Sequence, residues 1–264
     1  MLREYLSNIA GAIRSKLGTS DKVNAQDFAD KVNEVYDKGR NDEYDDFWDD
    51  FQKNGNAHDY MCAFGNDGWS DANFKPKYPI ISNNMHRTFR STRVTDLKKK
   101  LTECGVYLDS SAAWDFTQAF GYSSYILTVP ELDMRNATTL TSMFCTDSKL
   151  HTVDKIIFSE NNNLSFTEFA KACYSLKEIR FEGKIANNID FSWSPLSVES
   201  MKSIISCLKN HTGTTKEATQ TLSFTETCWA NLEASTTPYE DGLTENKELS
   251  WQDYIQTTLG WLVA

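Results

Sequence analysis

No apolar run in this 264-residue chain approaches the roughly 18 residues that a membrane-spanning helix needs. The amino-terminal MLREYLSNIAGAIRSKLG carries charges through its would-be apolar core, so neither a signal peptide nor an anchor is read there. Cations are scarce: 27 Lys and Arg stand against 37 Asp and Glu, a formal net charge of -10. That balance argues against nucleic acid or an anionic membrane surface as partner, because neutralising phosphates takes clustered Lys and Arg. The short basic run Lys98-Lys99-Lys100 reads as a solvated face. Six cysteines, at 62, 104, 145, 173, 207 and 228, include no C-x-x-C pair, and they read as free buried thiols of a chain folded in a reducing cytoplasm.

Catalytic signatures are missing as well. His58, His86, His151 and His211 stand alone, and H-E-x-x-H, G-x-S-x-G and G-x-x-x-x-G-K-[ST] are all absent. The expectation is a protein that is not an enzyme and takes no cofactor or metal. The acidic run DEYDDFWDD lacks the turn glycine and ligand spacing of a calcium loop. With 40% hydrophobic residues and 12% aromatics the composition argues for a folded protein, since disorder would call for few aromatics and a dominant charge imbalance.

At the amino terminus, Leu2, Leu6, Ile9, Ile13 and Leu17 recur at helical spacing until Gly18. A second helix is predicted from Asn24 as N-cap, with Phe28, Val32 and Val35 on one stripe. Beyond Gly39, Tyr44, Phe47, Trp48 and Phe51 share one face while the acids take the other. Two readings stand side by side here: an amphipathic helix packing on its own chain, or a helix joining copies of the chain. Phe28, Val32, Val35, Phe47, Trp48 and Phe51 are the candidate partner or oligomer interface. From Asn54 to Pro79 the chain is rich in Gly, Asn, Asp and Pro and reads as an ordered connecting loop.

The central segment repeats itself. LDSSAAWDFTQAF (108–120) set above LDMRNATTLTSMF (132–144) aligns Leu108 with Leu132, Phe116 with Leu140 and Phe120 with Phe144. IFSENNNLSFTEF (157–169) continues with Ile157 in the Leu column and Phe169 in the Phe column, and KYPIISNNMHRTF (77–89) joins through Met85 and Phe89. The last Phe of each unit falls at 89, 120, 144 and 169, in steps of 31, 24 and 25. A period near 24 lies in the leucine-rich-repeat range, and such rungs bury their apolar faces only by stacking on neighbours. Cys145 and Cys173 are expected in small interior sites between rungs.

A helix follows in LSVESMKSIISCLKNHTG, with Ser197 as N-cap and Met201, Ile204, Ile205 and Leu208 on one side. TQTLSF (219–224) reads as a strand, and ELSWQDYIQTTLGWLVA as a short helix with an apolar tail. The predicted fold class is α+β: a short leucine-rich-repeat β-solenoid with N-terminal helices and a helical C-terminal cap. Its parts are a helical docking or oligomerisation region (1–53), an ordered linker loop (54–79), the solenoid (80–194) and the capping region (195–264).

The rungs LDMRNATTLTSMF and FTEFAKACYSLKEIRFEG resemble the BspA-like type of leucine-rich repeat found in bacterial surface proteins. AIRSKLGTSDKVNAQDFADKVNEV (12–35) is similar to a short module of tail- and baseplate-associated proteins of phages and prophages of Firmicutes. YDKGRNDEYDDFWDDFQKNGN, NFKPKYPI, FEGKIANNIDFSWSPLSVESMKSII and the closing tail from Trp251 to Trp261 are similar to a group of gut-phage and prophage proteins. The resemblance implies a non-enzymatic virion or surface role and carries over no particular binding residue.

The expected protein is therefore tail-associated, made in the bacterial cytoplasm without a signal peptide and incorporated in the virion. Its expected partners are other virion proteins and a host cell-surface protein or glycan, with homo-oligomerisation through the N-terminal helices. Trp69, Tyr122, Tyr125 and Trp193 are the candidate ligand surface, aromatics able to stack on sugar rings or else to serve core and cap. Alternatives are a virion assembly component and a bacterial surface adhesin.

Overall fold

In the computed structural model the described residues are 57–66, 68–160 and 163–264. The predicted N-terminal helices and the interface residues Phe28, Val32, Val35, Phe47, Trp48 and Phe51 lie outside them.

The described chain winds into a parallel β-solenoid of about five turns with few helices. β1 (His58–Asp59), β2 (Ile80–Asn84), α1 (Leu97–Glu103) and β3 (Leu108–Asp109) come first. β4 (Thr128–Val129), β5 (Leu132–Asp133), β6 (Thr152–Ile157) and β7 (Glu178–Glu182) follow. All pair in parallel, β1 with β2 and β2 with β3, then β6 with β4, β5 and β7. β4 and β5 are one strand interrupted at Pro130, which has no N–H to give to a ladder. On its other edge, β6 shifts register against β7 between Val153 and Ile156. Alternate residues point inward: Val153 and Ile156 are buried on β6, Ile179 and Phe181 on β7.

The turns are what make the rungs equivalent. Each holds two residues with left-handed backbone four positions apart: Cys62 and Asn66, Arg87 and Ser91, Gln118 and Tyr122, Ser142 and Thr146, Glu168 and Ala172. Such conformations cost about 1–3 kcal/mol each in a non-glycine residue and persist where the surroundings fix them. In the first four rungs both left-handed N–H groups donate to a carbonyl of the next rung: Gln118 N to Thr141 O at 3.0 Å and Tyr122 N to Cys145 O at 2.7 Å, for instance. The same bonds run from Cys62 and Asn66 to His86 and Arg90, at 3.0 and 2.8 Å.

These pairs reset the repeat register. Successive rungs are offset by 25, 31, 24 and 26 residues. The 108–120 and 132–144 units match as the sequence aligned them, with Asp115 bridged to Thr139. The last unit does not: Leu132 pairs with Ile156 rather than Ile157. By the turn ladder, Phe144 is equivalent to Ala170, since Phe120 N donates to Met143 O and Phe144 N to Phe169 O. The fifth rung carries two more residues between strand and turn than the fourth, so Phe169 sits one place before the Phe column. Residues 58–66, read from sequence as part of a connecting loop, build a further rung, with Phe64 stacked on Phe89 at 5.2 Å.

A buried polar column runs beside the phenylalanines. The residue after the second left-handed position is Thr92, Ser123, Asp147 and Cys173 in successive rungs, all fully buried. Ser123 Oγ donates to Thr92 O (2.8 Å), Asp147 Oδ1 accepts from Ser123 N (2.6 Å), and Cys173 Sγ donates to Phe144 O (2.9 Å). Small polar groups thus satisfy the interior carbonyls and amides that the tight turns leave over.

After β7 the rungs give way to helix. α2 (Val198–Ser206) is capped by Ser197, whose side chain accepts from Ser200 N, and buries Met201, Ile204 and Ile205 as predicted. Ser200 Oγ and Ser203 Oγ accept from Ile179 N and Phe181 N at 2.9 Å, so hydroxyls of α2 take over the ladder from the next strand. β8 (Ile189–Phe191), β9 (Thr221–Phe224) and β10 (Leu262–Val263) form a second parallel sheet. α3 (Glu226–Glu233), capped by Thr225, was not read from the sequence. α4 (Trp251–Asp253) runs into a π-helical turn at Tyr254–Thr258. The three tryptophans tie this end together: Nε1 of Trp229, Trp251 and Trp261 donates to Ala264, Thr236 and Lys209 carbonyls at 2.9, 2.7 and 2.8 Å.

Candidate functional site

Side chains at the outer edge of the turns and at the strands are arranged differently. At the strands, cations meet carboxylates: Lys98 Nζ lies 2.7 Å from Asp154, and Lys155 lies 3.0 Å from Glu131 and 3.3 Å from Glu182. The open groove there, about 620 Å³ and lined by Thr152, Val153, Glu178, Ile179 and Arg180 among others, holds these pairs. Lys98 and Lys155 both have their pKa raised, chiefly by hydrogen bonds to those carboxylates. The basic run at 98–100 is thereby accounted for, since Lys99 and Lys100 pair with Glu103 within α1.

Along the turns, cations meet aromatic rings. The Arg90 guanidinium stands 4.8 Å from the Tyr122 ring centre, and Tyr125 lies between Arg93 at 5.7 Å and Lys149 at 5.5 Å. Each pair joins adjacent rungs. Further along, Tyr174 and Trp193 meet edge to face at 5.8 Å and are 58% and 45% exposed, unusually open for rings of that size. Lys171, on the same rung as Tyr174, pairs with Glu168 at 2.6 Å.

Of the four aromatics singled out in the sequence, Tyr122, Tyr125 and Trp193 are exposed on these turns. Trp69 is not among them. It packs against Phe64 and Phe74 with ring centres 5.4 and 6.0 Å apart, and its Nε1 donates to Ala63 O. Tyr174 and the four cations were missed. The signal for them lay in the turn spacing, which brings residues about 24 to 31 positions apart into register, and the Leu and Phe columns do not disclose it.

Titratable groups inside the fold belong to packing. Asp147 is fully buried and its Oδ2 meets no partner among the described residues, so burial pushes its carboxyl far above the usual range. Burial likewise pushes the Cys173 and Cys207 thiols up, which leaves them protonated and unreactive. All six cysteines are free. His211 is stacked on Trp261 at 5.3 Å, and burial lowers its pKa. Among the described residues no three His, Cys, Asp or Glu side chains gather into a metal set, and no helix is long and apolar enough to cross a membrane.

Comparison with protein-family models, with curated proteins and with solved structures finds no match to this chain.

Proposed function

We propose that this chain is a non-enzymatic recognition protein of the leucine-rich-repeat type, carried on a phage tail, whose solenoid turns contact the host cell surface. The observation that supports this most is the row of aromatic and cationic side chains repeated over successive turns, from Arg90 and Tyr122 to Tyr174 and Trp193. A solenoid presents such a row on a rigid, extended surface in which each rung supplies one element of the contact. Rings held by neighbouring rungs lose little side-chain entropy on binding, which favours recognition over mere solubility. The phage setting rests on the resemblance of residues 12–35 and of the closing tail.

Immunogold labelling of particles released by a lysogen encoding the chain, with antibody against residues 80–264, tests the placement. Gold at the tail tip, with binding of the purified chain to host cells, is the expected result. Labelled particles without cell binding would make the chain an assembly component. Unlabelled particles with the protein on the producing cell would make it an adhesin.

A further inference from the structure

Between the fifth rung and β8 the hydrogen-bond ladder opens, and we infer that the groove left there is a binding site for an uncharged polysaccharide, held through its hydroxyls. The site shares no residue with the aromatic row. It deepens the recognition reading above and rests on it for the setting, a polymer met at a cell surface.

In the first four rungs the N–H groups of the left-handed residues reach the next rung, but those of Glu168 and Ala172 meet no acceptor among the described residues. The following strand, β8, pairs with β9 alone. An open groove of about 530 Å³ occupies this seam, and Glu168, Asn188, Asp190, Thr221 and Ser223 are among the residues that line it. One end is closed by Asn187, whose Nδ2 donates to Leu164 O at 2.8 Å while its Oδ1 accepts from Lys216 Nζ at 2.7 Å.

The polar groups of the groove are held by the fold with part of their capacity unused. Asn188 Oδ1 accepts from Thr221 N at 2.8 Å and Asn188 N donates to Gln220 Oε1 at 3.1 Å, which orients the amide and leaves its Nδ2 as a donor without a partner among the described residues. Asp190 Oδ1 accepts from Ser192 N at 2.8 Å and leaves Oδ2 as an acceptor. The hydroxyls of Thr221 and Ser223 bond nothing among the described residues. One groove thus offers a fixed donor, a fixed acceptor and two hydroxyls that serve as either. That set matches sugar hydroxyls, each of which both gives and takes hydrogen bonds. Groups already held in place lose little freedom when a ligand arrives.

Other ligand classes fit less well. The charged side chains lining the groove are two carboxylates, Glu168 and Asp190, which disfavours a polyanion. Lys171 is paired with Glu168, and Lys216 is bonded to Asn163 and Asn187. An apolar ligand finds little to cover, since Phe166 and Ile189 at the groove are 4% and 1% exposed. A peptide adding as a strand would need about 4.8 Å on each side, whereas Phe169 and Phe191 meet across the seam with ring centres 6.2 Å apart.

Calorimetric titration of the full chain with dextran, mannan, galactan and polygalacturonate tests the site. Binding to at least one of the neutral polymers is expected, with polygalacturonate weaker or silent. Affinity should change little between about 0.02 and about 0.3 M salt, because screening has no charge pair to act on. The double variant Thr221→Val/Ser223→Ala removes hydroxyls that bond nothing in the fold, so it should keep the parent's melting temperature and bind about tenfold more weakly. Asp190→Asn, which keeps an acceptor for Ser192 N, should weaken neutral binding and narrow the preference against polygalacturonate. Binding to none of the neutral polymers overturns the inference, as does unchanged affinity in the double variant or tighter binding of polygalacturonate. Host-cell adhesion measured in parallel separates the two levels. Adhesion that neither the double variant nor excess neutral polymer reduces sinks the groove as the contact and leaves the recognition reading. Absent adhesion sinks the recognition reading, while the titrations still decide the site.

Discussion

Phe144 meets Phe169 edge to face, with ring centres 5.3 Å apart and planes at 84°, while Phe89, Phe120 and Phe144 lie nearly parallel, at 3° and 18°. The change of geometry marks the place where the repeat slips by one residue and Ala170 takes the position of the stacked ring. Both arrangements are favourable for aromatic pairs, so the core continues through the slip. Phe144 is fully buried between Phe120 and Phe169, and Phe144→Ala should cost about 3–5 kcal/mol. Ala170→Phe should destabilise by about 1–3 kcal/mol, because Phe169 already fills the space. Thermal and denaturant unfolding of both variants would check the register, and a neutral Phe144→Ala would refute it.

The Phe and Leu columns were legible in the sequence because large apolar residues recur at a nearly constant spacing between 108 and 144. The slip was not, because nothing in FSENNNLSFTEF tells two extra loop residues from a shift of the whole unit. The first rung was hidden for a related reason. Its strand is two residues long, and Tyr60, Phe64 and Gly65 sit in a segment whose composition reads as loop. Left-handed turns filled by Arg, Gln, Tyr, Ser and Glu carry no glycine signature, since the inter-rung hydrogen bonds, not residue type, hold them. The helix at 198–206 was legible from its cap and its stripe; the cations on the turns were not, because their partners lie a full rung away.

Asp147 should make stability fall as pH rises. Its folded pKa is raised above the usual carboxylate value by burial, so its contribution is fully present below about pH 4 and is lost as pH climbs toward the folded value. Asp147→Asn keeps an acceptor for Ser123 N and cannot ionise. The variant should therefore gain melting temperature over the parent increasingly between about pH 4 and pH 8, by a few degrees at the upper end. Parallel melting curves across that range would show that the carboxyl ionises in the fold at no cost.

Gly183 should tolerate no side chain. Its backbone lies at φ +88, just after β7, and a Cβ there would come within 2.1 Å of Phe158 O, a backbone atom that cannot swing away. Gly213, at a similar angle, faces open space. Gly213→Ala therefore carries only the left-handed penalty of about 1–2 kcal/mol, while Gly183→Ala adds displacement of a neighbouring rung and should lower the melting temperature well beyond it. Equal losses in the two variants would place Phe158 farther from the turn than the fold has it.

Tyr174 and Trp193 should separate binding from stability. Each is about half exposed and meets the other edge to face, so Tyr174→Ala and Trp193→Ala should each shift stability by no more than about 1 kcal/mol, the scale of an exposed aromatic pair. Trp69→Ala is the control, because that half-buried ring packs edge to face on both Phe64 and Phe74 and its removal should cost about 2 kcal/mol or more. Adhesion of the three variants to host cells, measured well below their melting temperatures, should fall for Tyr174→Ala and Trp193→Ala and hold for Trp69→Ala. Loss of adhesion only in the Trp69 variant would move the contact surface away from the later turns and toward the first rung.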